Sequence, residues 1–329
     1  MIEEILPNLF RIKIPLPKNP LGALNSYIIK DSRRNMIIDT GFAQDECKEA
    51  MRTGLEELGI DIQKTDFFIT HMHPDHMGLA LVIAPDTSKI YFNRIEADML
   101  RSGFFLDEYT DFACQNGFPE KELQTLFNHP GFRSYKFAAK GLANFHIVND
   151  GDIISISDYN FKCMQTPGHT RGHMCLYEAD KKLLIAGDHI LNDITATIQL
   201  WSDEQNPLRD YLTNLDKVYD LDIELTLPGH RSIITNCKER ILELKDHHQK
   251  RLENIISILR NGDKNAFQIA SQMSWDTNYE SWDLFPGPQK WIATGEAIAH
   301  LKYLEEDKIQ KERREKEAIY SLKKSKRIL

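Results

Sequence analysis

The chain has 329 residues, 41% of them hydrophobic and 27% charged, enough apolar material for one large domain or a large and a small one, and too much for global disorder. Lys and Arg number 41 against 49 Asp and Glu, a formal net charge of −8, so the molecule as a whole repels phosphate backbones and nucleic-acid contact needs a local basic patch. No apolar run reaches the roughly 18 residues of a membrane helix, and the acidic N-terminal stretch, broken by Pro7 and Pro15, does not read as a signal peptide; the expected compartment is the cytoplasm.

Residues 9–16, 24–31 and 35–41 are β-rich runs, the last ending at Gly41. Residues 45–58 carry apolar side chains at helical spacing and stop at Gly59. A short apolar strand, TDFFIT, then runs into a loop dense in titratable groups, and KIYFN (89–93) is the next strand. Residues 93–149 read as a helical insertion rich in aromatics: Phe104, Phe105, Tyr109, Phe112, Phe118, Phe127, Phe132, Tyr135 and Phe137. Those rings suit either a small core of the insertion's own or a lid over an apolar substrate. Strands resume at 150–156, 159–166, 173–179 and 181–188, followed by an amphipathic helix at 207–221 and a last strand and loop at 223–230.

Beyond that point lie a charged helix over 238–260, a shorter one at 266–274, a third after Pro288, and two strands around a charged turn within 309–323. Helix, helix, helix, hairpin is a winged-helix layout, so the expected division is a catalytic domain over 1–240 and a small winged-helix-like domain over 241–329. Residues 308–329 carry nine Lys and Arg against Glu312, Glu315 and Glu317, a local +6. Cys47, Cys114, Cys163, Cys175 and Cys237 are odd in number and lack CxxC spacing, so they read as reduced thiols.

The chemistry concentrates in THMHPDHMG, where His71, His73, Asp75 and His76 fall within six residues directly after a strand. An extended backbone projects alternate residues to one side, so His71 and His73 can point at one metal while Asp75 and His76 turn to an adjacent one. TPGHT adds His169, AGDHI adds Asp188 and LPGH adds His230, each beyond the end of a strand, which is where α/β sheets build their sites. Five imidazoles and two carboxylates suit two borderline cations such as Zn²⁺, Mn²⁺ or Fe²⁺.

These residues match in full the HxHxDH, His, Asp, His pattern, and the chain over about 1–240 resembles the metallo-β-lactamase-fold hydrolases. The resemblance implies an αββα sandwich with two metals in the groove between its sheets: His71, His73 and His169 at one, Asp75, His76 and His230 at the other, and Asp188 bridging. It also implies that Asp39 supports a ligand histidine from behind; its plainer reading is a turn residue before Gly41. The ligand set lacks the Cys common in true β-lactamases of the fold, which sets antibiotic hydrolysis aside. The C-terminal layout is similar to the subgroup containing the β-lactamase-like-2 endoribonucleases.

Two cations about 3.5–4 Å apart acidify a shared water towards a pKa of about 7, so the expected activity is hydrolysis of an ester, thioester or lactone of a small acyl compound through the bridging hydroxide. Asp75 or a metal-bound water is then the candidate proton donor to the leaving group, and Asp188 the second carboxylate in the reaction. The alternative is a phosphodiesterase or single-strand endoribonuclease, with RNA as partner and the basic C-terminus as its surface. A metal-sensing winged-helix regulator and a mono-iron oxygenase are further alternatives. His173 and His189 read either as orienting groups or as buried hydrogen-bonded histidines, Arg171 and Arg231 as anion receivers or surface charges, and Trp201 as pocket wall or core. His129, His146, His247, His248 and His300 lack ligand spacing and read as structural.

Overall fold

The computed structural model describes residues 2–102, 106–127, 145–277 and 279–324. The side chains of Phe104, Phe105, Phe127, Phe132, Tyr135 and Phe137, and of His129, Lys326 and Arg327, lie outside those described. The described residues divide into two compact units: 2–102, 145–196 and 214–241 form the first, and 106–127, 197–213 and 242–324 the second.

The first unit holds two sheets. One runs in chain order through β1 (Ile2–Leu6), β2 (Leu9–Pro15), β3 (Ala23–Ile29), β4 (Asn35–Ile38), β5 (Thr65–Phe68), β6 (Ile90–Asn93) and β7 (Phe145–Val148). Its pairings are antiparallel up to β4 and parallel from β4 to β7. The other has the order β12 (Leu225–Pro228), β11 (Leu183–Gly187), β10 (Met174–Glu178), β9 (Tyr159–Gln165), β8 (Ile153–Ile156) and is antiparallel except between β11 and β12.

The two-residue period of the strands sorts the first sheet's side chains into two cores. Tyr27, Ile29, Met36, Ile38 and Phe68 meet Phe161, Cys163, Leu176, Leu183 and Ile185 of the second sheet. Their sequence neighbours Ile28, Ile37 and Phe67 turn the other way, into a cluster with helix α1 (Asp45–Leu58). Cys47, Met51 and Leu55 recur every four residues along α1 and form its buried stripe. Gly54 lets that stripe lie close on β2, because a Cβ there would stand 2.4 Å from Ile12 Cδ1. Gly59 closes the helix with φ 65°, as expected of a left-handed cap.

Two one-turn helices follow β5, α2 (Pro74–Met77) and α3 (Ala80–Ile83), and α4 (Arg94–Ser102) follows β6. The longer helices are α5 (Leu106–Gln115), α6 (Glu120–Phe127), α7 (Pro207–Tyr219), α8 (Cys237–Leu259) and α10 (Gly287–Leu304), with the short α9 (Ala266–Ala270) before the last.

In the second unit, Ala113, Phe118, Leu123 and Trp291 share one core. Phe118 therefore packs against a C-terminal helix, where the sequence suggested that residues 93–149 bury a core of their own. Trp201 stacks on Trp291 with ring centroids 3.7 Å apart, which is the core reading of that residue. The hairpin β13 (Ile309–Arg314) and β14 (Glu317–Leu322) pairs six residues a side. Tyr320 donates its hydroxyl to Asn116 Oδ1 at 2.8 Å, and Asn265, which closes a capping box with Gln268 at the start of α9, donates to Glu317. No described cysteine is in a disulfide, and no helix among the described residues is long and apolar enough to cross a membrane.

Phe161 is fully buried between the two sheets, so Phe161→Ala is expected to cost about 3–5 kcal/mol of unfolding free energy. Urea denaturation reads this as a lower midpoint at an unchanged slope.

Candidate metal centre

All seven predicted ligands follow strand ends of the first unit. His71 and His73 lie in the loop after β5, Asp75 and His76 in α2, His169 between β9 and β10, Asp188 just past β11, and His230 just past β12. Pro74 starts α2 with its fixed φ, and the backbone of the next turn is pinned from the neighbouring loop: Thr40 donates both its N–H and its hydroxyl to His76 O.

Asp39 stands behind the loop in the left-handed region, φ 56°, a conformation aspartate tolerates better than most residues. Its Oδ1 accepts the Thr70 N–H at 2.9 Å, and its Oδ2 lies 2.7 Å from both Thr70 Oγ1 and His76 Nδ1. A carboxylate only accepts, so Thr70 spends its single hydroxyl proton on Asp39 and His76 donates from Nδ1. Thr70 Oγ1 must then accept from His71 Nδ1, 3.1 Å away. His230 donates its own Nδ1 proton to Ala23 O at 2.9 Å. In each neutral ring the Nε2 lone pair is left for the centre.

Those lone pairs converge. His73 Nδ1 lies 3.0 Å from both His71 Nε2 and His169 Nε2; one ring proton can bridge only one such pair, whereas one cation can face all three nitrogens. Around the other group, His230 Nε2 is 3.3 Å from His76 Nε2 and 3.5 Å from Asp75 Oδ2. Asp188 stands between the groups, Oδ1 3.5 Å from His76 Nε2, Oδ2 3.7 Å from His169 Nε2 and 3.6 Å from His230 Nε2. Its buried Oδ1 makes no hydrogen bond among the described residues. Gly229 permits this approach, because a Cβ there would stand 2.5 Å from Asp188 Oδ1 and 2.8 Å from His76 Cε1. A buried carboxylate ringed by imidazole nitrogens of both groups, with one oxygen outside every hydrogen bond, fits cations.

Electrostatics divide the histidines. Burial, aided by the neighbouring imidazoles, holds His71 well below its ordinary value and His73 down at about 3, so both are neutral and ready to ligate. Burial opposes the charge on His76 as well, but Asp188 and Asp39 outweigh it and raise that ring well above its ordinary value. Burial pushes the Asp75 carboxyl up, yet its hydrogen bond to His230 and the surrounding imidazoles bring it down to about 2.

The flanking candidates sort as follows. His173 accepts the Asp188 N–H on Nε2 at 3.1 Å and donates from Nδ1 to Thr166 Oγ1 at 2.8 Å, so both its nitrogens are engaged in holding the Asp188 loop. His189 is buried, with its ring held down at about 3 by desolvation. Arg171 and Arg231 are both exposed. His146 is exposed with its ring edge-on to Tyr91. In the second unit, His300 donates from Nδ1 to Glu296 O, and the neutral pair is completed by His248 Nδ1 donating to His300 Nε2 at 3.0 Å. Arg251, which donates to His247 Nε2, stands 3.6 Å from the Glu296 carboxylate. That group is also within ligand distance, but its own protons and the Arg251 charge account for it.

Sequence reading missed Thr70, Asn25 and Tyr27. Asn25 donates from Nδ2 to Pro228 O and Arg231 O, its N–H reaches Gly229 O, and Tyr27 donates its hydroxyl to Pro228 O. Together they clamp the His230 loop, including Arg231 at φ 67°. The one available signal was the polar pair Asn25 and Ser26 within an otherwise apolar strand.

Asp39→Ala is expected to weaken divalent metal binding about 10–100-fold, as loss of a ligand-orienting carboxylate does elsewhere, read by chelator competition. Asp188 and Asp39 favour the charged form of His76, which must lose its extra proton to ligate, so metal uptake at the Asp75, His76, His230 group should release protons and weaken as pH falls. Calorimetry in two buffers of different ionisation enthalpy measures it; uptake without proton release would contradict the assignment.

Residues 19–230 match the metallo-beta-lactamase superfamily. A Caenorhabditis elegans protein named beta-lactamase-like protein 2 homolog is 25% identical over 259 residues, 78% of this chain and 72% of that one. The human protein named acyl-coenzyme A thioesterase MBLAC2 is 25% identical over 234 residues, 68% of this chain and 78% of its own length. Among solved structures, a metallo-beta-lactamase family protein from Thermus thermophilus superposes with a TM-score of 0.82 at 26% identity, over 97% of this chain and all of that one. With its ligand pattern, its paired sheets and a family match over most of its length, the chain belongs to the metallo-beta-lactamase superfamily.

Proposed function

We propose that this hydrolase holds two divalent metal ions, Zn²⁺ in preference with Mn²⁺ or Fe²⁺ as substitutes, and cleaves the thioester or ester of a small acyl compound. The carrying observation is the Asp188 carboxylate, with its two oxygens 3.5–3.7 Å from imidazole nitrogens of both ligand groups. His71, His73 and His169 would hold one ion, Asp75, His76 and His230 the other, and Asp188 would touch both. Bound there, the ions supply Lewis acidity and lower the pKa of water towards neutrality. Asp75, ionised because its carboxyl is held at about 2, accepts a proton from the attacking water and returns it to the leaving thiolate or alkoxide. The nitrogen and carboxylate donor set suits these borderline ions better than calcium.

The acyl choice is supported by the human relative named as an acyl-coenzyme A thioesterase and by the net charge of −8. We read the C-terminal helices and hairpin of the second unit, without its segments 106–127 and 197–213, as a winged-helix-like domain over about 241–329. Three cations of its basic C-terminal stretch are engaged within the unit, which weakens the RNA alternative: Lys311 pairs with Asp203 at 2.7 Å, Arg314 with Asp263 at 2.5 Å, and Lys323 donates to Glu305 O. Free thiols and the absence of a membrane-crossing helix among the described residues support a cytoplasmic enzyme.

Initial rates on acyl-coenzyme A thioesters and lactones, set beside an aryl phosphodiester, test the reading with zinc- or manganese-loaded protein. The acyl substrates should turn over faster and Asp188→Ala should abolish the activity. A faster phosphodiester would replace this reading with the phosphodiesterase one.

A further inference from the structure

Glu96 lies in the first turn of α4, outside every motif that marks the metal centre, and its side chain is fully buried. Its Oε1 accepts hydrogen bonds from the Thr170 hydroxyl and from the Gly172 N–H, the latter at 3.2 Å. Both donors belong to the loop that carries His169. Burial raises this carboxyl to about 7, against the Thr170, Gly172 and Met72 donors that favour its charged form, and its Oε2 makes no hydrogen bond among the described residues. The fit is tight: a Cβ on Gly172 would stand 2.7 Å from Glu96 Cγ and 2.4 Å from Asn93 Oδ1. No solvent competes for the carboxyl, so these donors are its compensation for burial.

We infer that Glu96 is a positioning residue for the His71, His73 and His169 group: one buried carboxyl anchors the His169 loop to the start of α4, which follows β6, the neighbour of the strand β5 that leads into His71 and His73, and so sets the spacing of the three nitrogens. This rests on the two-metal reading above. The loops are distant in sequence, 96 residues between His73 and His169, and their far ends are joined by the Met174 N–H to Thr70 O bond at 2.9 Å. A cation shared by them can be bound tightly only if their separation is fixed before it arrives, since ordering a loop on binding subtracts from affinity. The group of Asp75, His76 and His230 has its own supports in Asp39, Asn25 and Ala23, so the effect of Glu96 should be confined to one metal.

Cobalt titration with chelator competition reads this directly in two backgrounds. His230→Ala leaves the first group intact, and there Glu96→Ala should weaken cobalt binding about 10–100-fold. His169→Ala leaves the second group, and there Glu96→Ala should change affinity less than about 3-fold. Glu96→Gln, whose amide oxygen still accepts from Thr170 and Gly172, should restore most of the loss, and Thr170→Val should reproduce part of it. Unchanged binding in the His230→Ala background, or equal losses in both backgrounds as a general folding defect would give, overturns the inference while leaving the two-metal reading standing. Failure of the wild-type protein to bind cobalt at all overturns both.

Discussion

The Asp39 carboxylate is the interaction on which the rest of the centre depends. Three donors meet it, two from Thr70 and one from His76, and because it can only accept, the direction of every neighbouring proton is fixed. Through Thr70 the constraint reaches His71, and directly it reaches His76, so one buried anion sets a ring in each ligand group. An amide in its place would scramble that order by offering a proton where the site needs an acceptor. This is why a residue that reads as an ordinary turn aspartate governs the tautomers of two histidines.

The charge pattern around it is uneven. His71 and His73 are kept neutral by burial, while His76 and His230 are drawn towards their charged forms by Asp188, Asp39 and Asp75. Cations at these groups would take over the role of that positive charge beside the three carboxylates, which is how a buried cluster of anions would stay compensated on loading. The backbone follows the same logic: Gly229 is needed because the Asp188 carboxylate and the His76 ring occupy the space of a side chain.

The supports of the two groups come from different places. Asn25 and Tyr27 of β3 clamp the His230 loop, His173 holds the Asp188 backbone, and Glu96 of α4 meets the His169 loop. All are rigid positions on strands or on well-packed helix turns and loops, which is what a centre assembled from separate loops requires. The second unit uses a comparable economy, joining Asn116, Asn265, Glu317 and Tyr320 through side-chain hydrogen bonds.

The seven candidate ligands that the fold brings together were legible in the sequence because each lies in a short motif at a strand end, HMHPDH, PGH and GDH, where residue type and position are encoded locally. The period-2 strands and the helix closing at Gly59 were legible for the same reason. The sequence alone therefore determined which residues are the candidates for the chemistry and which superfamily the chain belongs to. Only the tertiary structure decided how they are held. The bond from Thr170 to Glu96 spans 74 positions and that from Asn25 to Pro228 spans 203, and Phe118 finds Trp291 rather than its own neighbours. Such contacts depend on the path of the whole chain, and a local pattern of polarity carries no record of which distant loop a buried carboxylate or amide will meet.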